Sequence, residues 1–432
     1  MKLTRGRPST IMELIDLNTP PDETLLRLYG TARLDAARSR CRGVMENFAQ
    51  VFGSPPQALF SAPGRTELGG NHTDHQRGCV LAAAVDLDLL AAVSPNESGV
   101  LRVQSQGYDP IEVDLRDLAP IPQETGTSAA LIRGVAARMS ALGCSLDHAG
   151  MDAYLVSDVP GGSGLSSSAA FEVLIGTILN DLFWDGHCTP VELAQIGQYA
   201  ENVYFGKPCG LMDQAACSIG GVVAMDFQNP QAPVVRQIAL DLQAAGYALC
   251  ILDSGADHAD LTREYAAITE ELRSVSAHFG KEVLREVPES DFLAALPALR
   301  TECGDRAVLR ATHFYRENAR AAAQADTLEQ GEFPAFLQLV RDSGISSALY
   351  LQNVIPTGQV QKQELMVALS LCEGLLHGTG AVRVHGGGFG GTIQAFVPLD
   401  RLDLFRIGAE AVLGKGSCHV LSIRPVGGIR LI

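Results

Sequence analysis

Between residues 58 and 115 the apolar positions form short β-rich runs: Leu59-Phe60-Ser61, Val80 to Val93, Leu101 to Ser105 and Ile111 to Leu115. Turn residues bound each run, which predicts strands. The preceding residues, 1 to about 55, have helical spacing on either side of Pro20-Pro21 and stop at Ser54-Pro55-Pro56. A lid, an interface or a packed extension would all fit that pattern. Further on, Ser128 to Leu142 reads as helix, Asp152 to Ser157 as strand, Ala169 to Leu182 as amphipathic helix, and a further helix falls near 190–204. After Gly220-Gly221, Val222 to Met225 and Tyr247 to Asp253 look extended, and helical stretches dominate about 257–377. Strand character returns at Ala381 to Val384, Thr392 to Val397 and Val420 to Ile423, around a helix near 401–413. These breaks divide the chain into 1–55, 56–220 and 221–432.

With 432 residues and 46% apolar content, the chain is long enough to bury a core spread over two lobes. Its net charge of −16 opposes binding to nucleic acid or anionic lipid, yet leaves room for a local positive pocket. Lys2, Arg5 and Arg7 precede a segment, Ile11 to Leu17, that Glu13 and Asp16 disqualify as a secretory apolar core. Asp86 and Asp88 likewise interrupt the run Val80 to Val93, which is too short to span a bilayer. A cytoplasmic protein with no membrane partner is the expectation. The ten cysteines form no CxxC pair and no disulfide-like framework.

Four polar segments carry candidate chemistry. In Val159 to Ala170, Gly161, Gly162, Ser163, Gly164, Leu165, Ser166, Ser167 and Ser168 join a strand end to a helix start. The unpaired N–H groups of a first helical turn, backed by the helix dipole, suit a phosphate. The same residues also make ordinary turns and N-caps. A second segment, Ala62 to His75, crowds polar groups between two apolar strands, where Arg65 offers a fixed positive charge and Asn71 and Asp74 offer paired hydrogen bonds to vicinal hydroxyls. A solvated loop, or a metal held by His72, Asp74 and His75, would fit as well. Third, Gly206 to Gln214 sets Asp213 among apolar neighbours as a candidate base or a helix cap. Fourth, His385 to Thr392 holds five glycines suited to close backbone packing or to a tight turn.

Taken together and in this order, the segments resemble the galactokinases of the GHMP small-molecule kinase family, over roughly Ala58 to the C-terminus. PGGSGLSSSAA is similar to the family's nucleotide-phosphate loop, CGLMDQ to its catalytic-aspartate segment, GGGFGG to its C-terminal glycine motif and APGRTELGGNHTDH to its sugar-binding opening. The resemblance implies an α+β fold of two lobes with the active site in the cleft between them. Residues 56–220 would carry the sugar and ATP-phosphate motifs and 221–432 would form the C-terminal lobe. It also implies transfer of the ATP γ-phosphoryl group to the anomeric hydroxyl of a hexose, most simply galactose.

By the same resemblance Arg65 and Asp213 are the catalytic pair, and Asn71, His72, Asp74, Gly210 and Tyr265 contact the sugar. Ser168 and Glu201 hold Mg2+. One departure bears on the substrate: galactokinases usually read GEHTDY where this chain has Gly70-Asn71-His72-Thr73-Asp74-His75. A neutral amide in place of the acid near the sugar's C6 keeps galacturonate or another modified hexose as an alternative, supported by Asp74-His75-Gln76. The segment Ser343 to Leu349 keeps only part of the family's Ser-His-x-Ser-Leu pattern. A catalytically silent sugar and ATP sensor is a further alternative, although Ser167-Ser168-Ala169-Ala170 is uninterrupted. A mevalonate or homoserine kinase would make the His-Thr-Asp opening a coincidence.

Overall fold

The computed structural model describes residues 19–161, 164–256 and 261–432. Two helices come first, α1 (Asp22–Tyr29) and α2 (Leu34–Phe52), followed by the long hairpin of β1 (Ala58–Gly69) and β2 (Cys79–Pro95). Next are β3 (Val100–Ser105), β4 (Ile111–Asp114), α3 (Ser128–Ala141), β5 (Met151–Ser157), α4 (Ser167–Trp184), α5 (Pro190–Tyr199) and α6 (Met212–Ile219). Strands β6 (Val222–Asp226), β7 (Val234–Ile238) and β8 (Tyr247–Asp253) lead into a helical stretch. It comprises α7 (Thr262–His278), α8 (Glu289–Ala294), α9 (Leu296–Glu302), α10 (Asp305–Glu329), α11 (Phe333–Ser346) and α12 (Glu364–Leu376). The chain ends with β9 (Ala381–Val384), β10 (Thr392–Pro398), α13 (Leu402–Leu413), β11 (Cys418–Leu421) and β12 (Ile429–Arg430).

The strands build two sheets. The first runs β12-β1-β2-β5-β3-β4, with β6 paired to the far end of β2 and β7 to β6; the second runs β11-β8-β10-β9. Among the described strands only β3 and β5 pair in parallel. The α+β class expected from sequence is therefore present, but the boundary expected at 220 falls inside the first sheet. Cys79 to Ala83 of β2 pair with β6, and Phe60 and Ser61 pair with β12 at the C-terminus. A seventeen-residue β2 is long enough to offer unpaired backbone at both ends, and residues distant in sequence satisfy it.

Layers cover both faces of this sheet, which removes the alternation a one-sided strand would show. Helix α4 packs on β1 and β2 from one side, and α2 packs on β2 and β5. Expected to be amphipathic, α4 is in fact buried at every position from Ala169 to Asn180, because α3, α5 and α6 enclose it. The N-terminal extension is packed structure over its described length. Leu25, Leu28, Val44 and Phe48 seat against Leu59, Leu90 and Tyr154. Asp88, fully buried on β2, accepts hydrogen bonds from Tyr29 at 2.6 Å, from Arg424 at 2.8 Å, and from Arg40 and Ser61. In the second lobe, α12 and α13 pack on β9 and β10 through Leu365, Cys372, Phe405 and Ile393. Helix α10 runs against β2 and α11, tying the lobes together. No helix among the described residues is long and apolar enough to cross a membrane.

Candidate active site

Arg65 and Glu67 lie on β1 itself, not in a loop after it, so the polar segment expected between two strands is mostly strand. What makes it irregular is the register: β1 slips against β2 between Pro63 and Arg65, and again between Glu67 and Gly69. Such bulges redirect side chains. The Arg65 guanidinium donates through Nε to Asp213 Oδ1 at 2.8 Å and through NH1 to the Gly164 carbonyl. The Arg65 amide donates to the Leu165 carbonyl at 3.0 Å, locking the strand to the glycine and serine loop before α4.

Asp213 sits in the first turn of α6, and its Oδ2 accepts from Ser166 Oγ at 2.5 Å. Burial pushes the Asp213 carboxyl up, but the Arg65 charge and the hydrogen bonds from Ser166 and Arg65 outweigh it. The pKa stays below the usual carboxylate value. Its side chain keeps 31% of its surface open, so it is accessible to a reactant. Ser166 caps α4 with φ at 57°, a left-handed conformation that a serine adopts at some cost and that aims its hydroxyl at Asp213.

A cavity of about 240 Å³ opens over this cluster, lined by Arg65, Gly164, Ser166, Ser168, Lys207 and Asp213 among others. Leu165 and Ser167 also line it; Gly161 is exposed on the same loop, and Gly162 and Ser163 lie outside the described residues. At its edge Glu201, buried on the irregular turn after α5, faces Ser168 Oγ at 3.4 Å, Lys207 Nζ at 3.2 Å and Gln214 Nε2 at 2.8 Å. Gln214 also donates to Glu172 at 3.0 Å. Burial and the neighbouring Glu201 charge raise the Glu172 pKa well above the usual range. Lys207 and Gln214 had no assigned role in the sequence analysis. Their position within Gly206 to Gln214, beside Asp213, was the available signal.

The remaining predicted residues form an adjoining cluster. Gly210 abuts Asp74, for a Cβ there would collide with Asp74 Oδ2. Three residues on, the same chain reaches Asp213, so a short segment links the residue abutting Asp74 to the Asp213 carboxylate. His72 Nε2 lies 3.0 Å from the Gly387 carbonyl, and burial drives its imidazole pKa down to about 4. Tyr265 donates to the Gly388 carbonyl at 2.9 Å, and a Cβ at Gly387 would stand 2.5 Å from its ring. The C-terminal glycine segment thus serves close packing. Its flanking His385 reaches Thr66 on β1 at 3.0 Å.

Asn71 departs from the expectation. Its side chain is 1% exposed and its amide is already satisfied: Nδ2 donates to the Gly386 carbonyl at 2.6 Å and to Glu67 at 3.1 Å, and Oδ1 accepts from Asn353 at 2.8 Å. In this structure the side chain bridges Glu67, Gly386 and Asn353. The carboxylate beside it, Glu67, pairs with the fully buried Arg383. Among the described residues no three His, Cys, Asp or Glu side chains gather as a metal cluster, and His72 is engaged with backbone.

The galactokinase galactose-binding signature matches residues 46–95, and the GHMP kinase N-terminal domain matches residues 130–221. A galactokinase of Streptomyces coelicolor is 33% identical over 395 residues, covering 90% of this chain and 97% of that protein. The structure of Lactococcus lactis galactokinase complexed with galactose superposes with a TM-score of 0.76 at 25% identity, covering 90% of this chain and 98% of that one. L. major mevalonate kinase in complex with R-mevalonate shares the fold, with a TM-score of 0.59 at 16% identity over 86% of this chain and 99% of that one. With a galactokinase matched at 33% identity over nearly the whole of both chains, the chain belongs to the galactokinases of the GHMP kinase family.

Proposed function

We propose that the chain phosphorylates galactose at its anomeric hydroxyl, with ATP as phosphoryl donor. The observation that carries this reading is the Arg65–Asp213 contact of 2.8 Å in a cavity at the N-terminus of α4. The unpaired N–H groups of that helix and its dipole favour the phosphate chain. The anomeric oxygen attacks the γ-phosphorus, the bond to the bridging oxygen of ADP breaks, and the hydroxyl proton passes to Asp213 and then to solvent. With its pKa lowered, Asp213 acts first as a hydrogen-bond acceptor that orients the hydroxyl and takes the proton late. Arg65 holds Asp213 in place and offsets charge on the transferring group.

His72, Asp74, Gly210 and Tyr265 line the sugar side in this reading. Oxygen donors suit Mg2+, and Ser168 Oγ and Glu201 Oε1, 3.4 Å apart beside the cavity, are compatible with holding it. When bound, the ion would neutralise phosphate charge. The alternative of a C6 carboxylate substrate rests on the neutral amide at 71 and on Asp74-His75-Gln76; that amide is bonded to Gly386 and Asn353 on its two ends.

Full-length protein with ATP and magnesium, supplied separately with galactose, galacturonate and N-acetylgalactosamine, tests the proposal through ADP release. Phosphorus NMR then locates the product ester. Galactose should be phosphorylated at C1 in preference to the other two. Preference for galacturonate, or no ADP from any of the three, would overturn the proposal.

A further inference from the structure

The cavity's fixed positive charge is largely spent on the protein itself. Arg65 gives Nε and NH2 to Asp213 Oδ1, each at 2.8 Å, and NH1 to the Gly164 carbonyl. That pair is close to neutral as a unit, yet a nucleotide phosphate chain brings several negative charges. Among the described residues that line the cavity, Lys207 is the other cation. Its backbone is fixed at the turn after α5, where its amide donates to the Glu201 carbonyl at 3.1 Å. Among the described contacts its ammonium meets one group, Glu201 Oε1 at 3.2 Å, leaving donor capacity for a ligand.

The Lys207 side chain is 64% exposed, and an ion pair so open contributes little to stability. Loop backbone places Lys207 on the cavity wall, where burial disfavours its charge but Glu201 and Asp213 outweigh burial and keep it an ammonium. We infer that the Lys207 ammonium contacts the phosphate chain of the nucleotide, a role resting on the reading of this cavity as the phosphoryl-transfer site. An ammonium can follow a phosphate oxygen as a mobile point charge, which the immobilised Arg65 fork cannot do. Lys207 therefore supplies the nucleotide-specific charge and Arg65 the charge that organises Asp213.

Calorimetric titration of the full-length chain with ATP, ADP and AMP, with and without magnesium, tests this on wild type, Lys207→Met and Lys207→Arg. Lys207→Met should raise the ATP dissociation constant about ten- to a hundredfold, as for a lost hydrogen bond between charged groups. AMP binding should be unchanged, the dependence of ATP affinity on KCl should flatten, and Lys207→Arg should recover most of the loss. An unchanged ATP affinity in Lys207→Met, whether or not its melting temperature falls, would overturn the inference and leave Lys207 as a partner of Glu201 alone. Equal losses for ATP and AMP would do the same. If wild type binds ATP and phosphorylates galactose, such results sink only the Lys207 role; if wild type does neither, the reading of the cavity fails first and the inference with it.

Discussion

Arg65 Nε and Asp213 Oδ1 meet at 2.8 Å although 148 residues separate them in the chain. One sits on a bulged strand and the other on the first turn of a helix, and Ser166 closes the arrangement from the phosphate loop. Each group limits the others: the guanidinium keeps the carboxylate ionised, and the serine keeps it oriented.

Replacing Asp213 with Asn removes charge and basicity at nearly constant shape. Turnover should fall about 100- to 10,000-fold, while ATP affinity measured by calorimetry changes little. Parallel losses in binding and rate would assign Asp213 to a capping role.

Ser166→Ala deletes a hydrogen bond to the ionised form of Asp213. Losing it destabilises the carboxylate and raises its pKa. Since the reaction needs the ionised form, the acid limb of the kcat/KM profile should move to higher pH. A limb that stays in place would show that Asp213 does not govern it.

Asn71→Glu would set a second carboxylate against Glu67, whose Oε1 is 3.1 Å from the Asn71 amide nitrogen. Burial already raises the Glu67 pKa despite Arg383. We expect a loss of roughly 2 kcal/mol at neutral pH, read as a lower melting temperature and relieved on acidification as one carboxyl takes up a proton. A variant as stable as wild type at pH 8 would contradict the packing described for Asn71.

Asp88→Asn tests how the N-terminal helices are fastened. Burial alone would raise the Asp88 pKa, but Arg40 and Arg424 together with Ser61 and Tyr29 lower it. Its contribution to stability is therefore fully present above the ordinary aspartate value of about 3.9 and is lost as pH falls through the lower folded value. Leaving two arginines without their partner should cost about 3–5 kcal/mol near neutral pH, and the gap between variant and wild type should close in acid. Chemical denaturation across pH measures both.

The motifs were legible because each is local chemistry. A glycine and serine turn before an apolar run, an aspartate inside CGLMDQ and the arginine of APGRTEL keep their meaning in one dimension. So do most strands and helices from Ala58 onward, where runs of apolar residues end at glycine or proline. Other features were not legible. Helix α4 read as amphipathic because composition cannot tell which flank another helix will cover. Strand pairing across residue 220, which joins β2 to β6 and β1 to β12, could not be read either, because partners are set by sheet edges and not by proximity in sequence. The strand β7 passed unnoticed, since Val234 to Ile238 is largely exposed and mostly polar toward solvent.

By itself, then, the chain's order of residues determined the chemical inventory: which groups suit a phosphate, which carboxylate is available and which family the motifs resemble. Tertiary structure alone decided what those groups do to one another. It spent the Arg65 charge on Asp213, turned Asn71 inward onto Glu67 and Asn353, and left Lys207 on the cavity wall. The physical reason is that hydrogen bonds and charges act over a few ångströms of space, whereas these partners lie tens to hundreds of residues apart along the backbone.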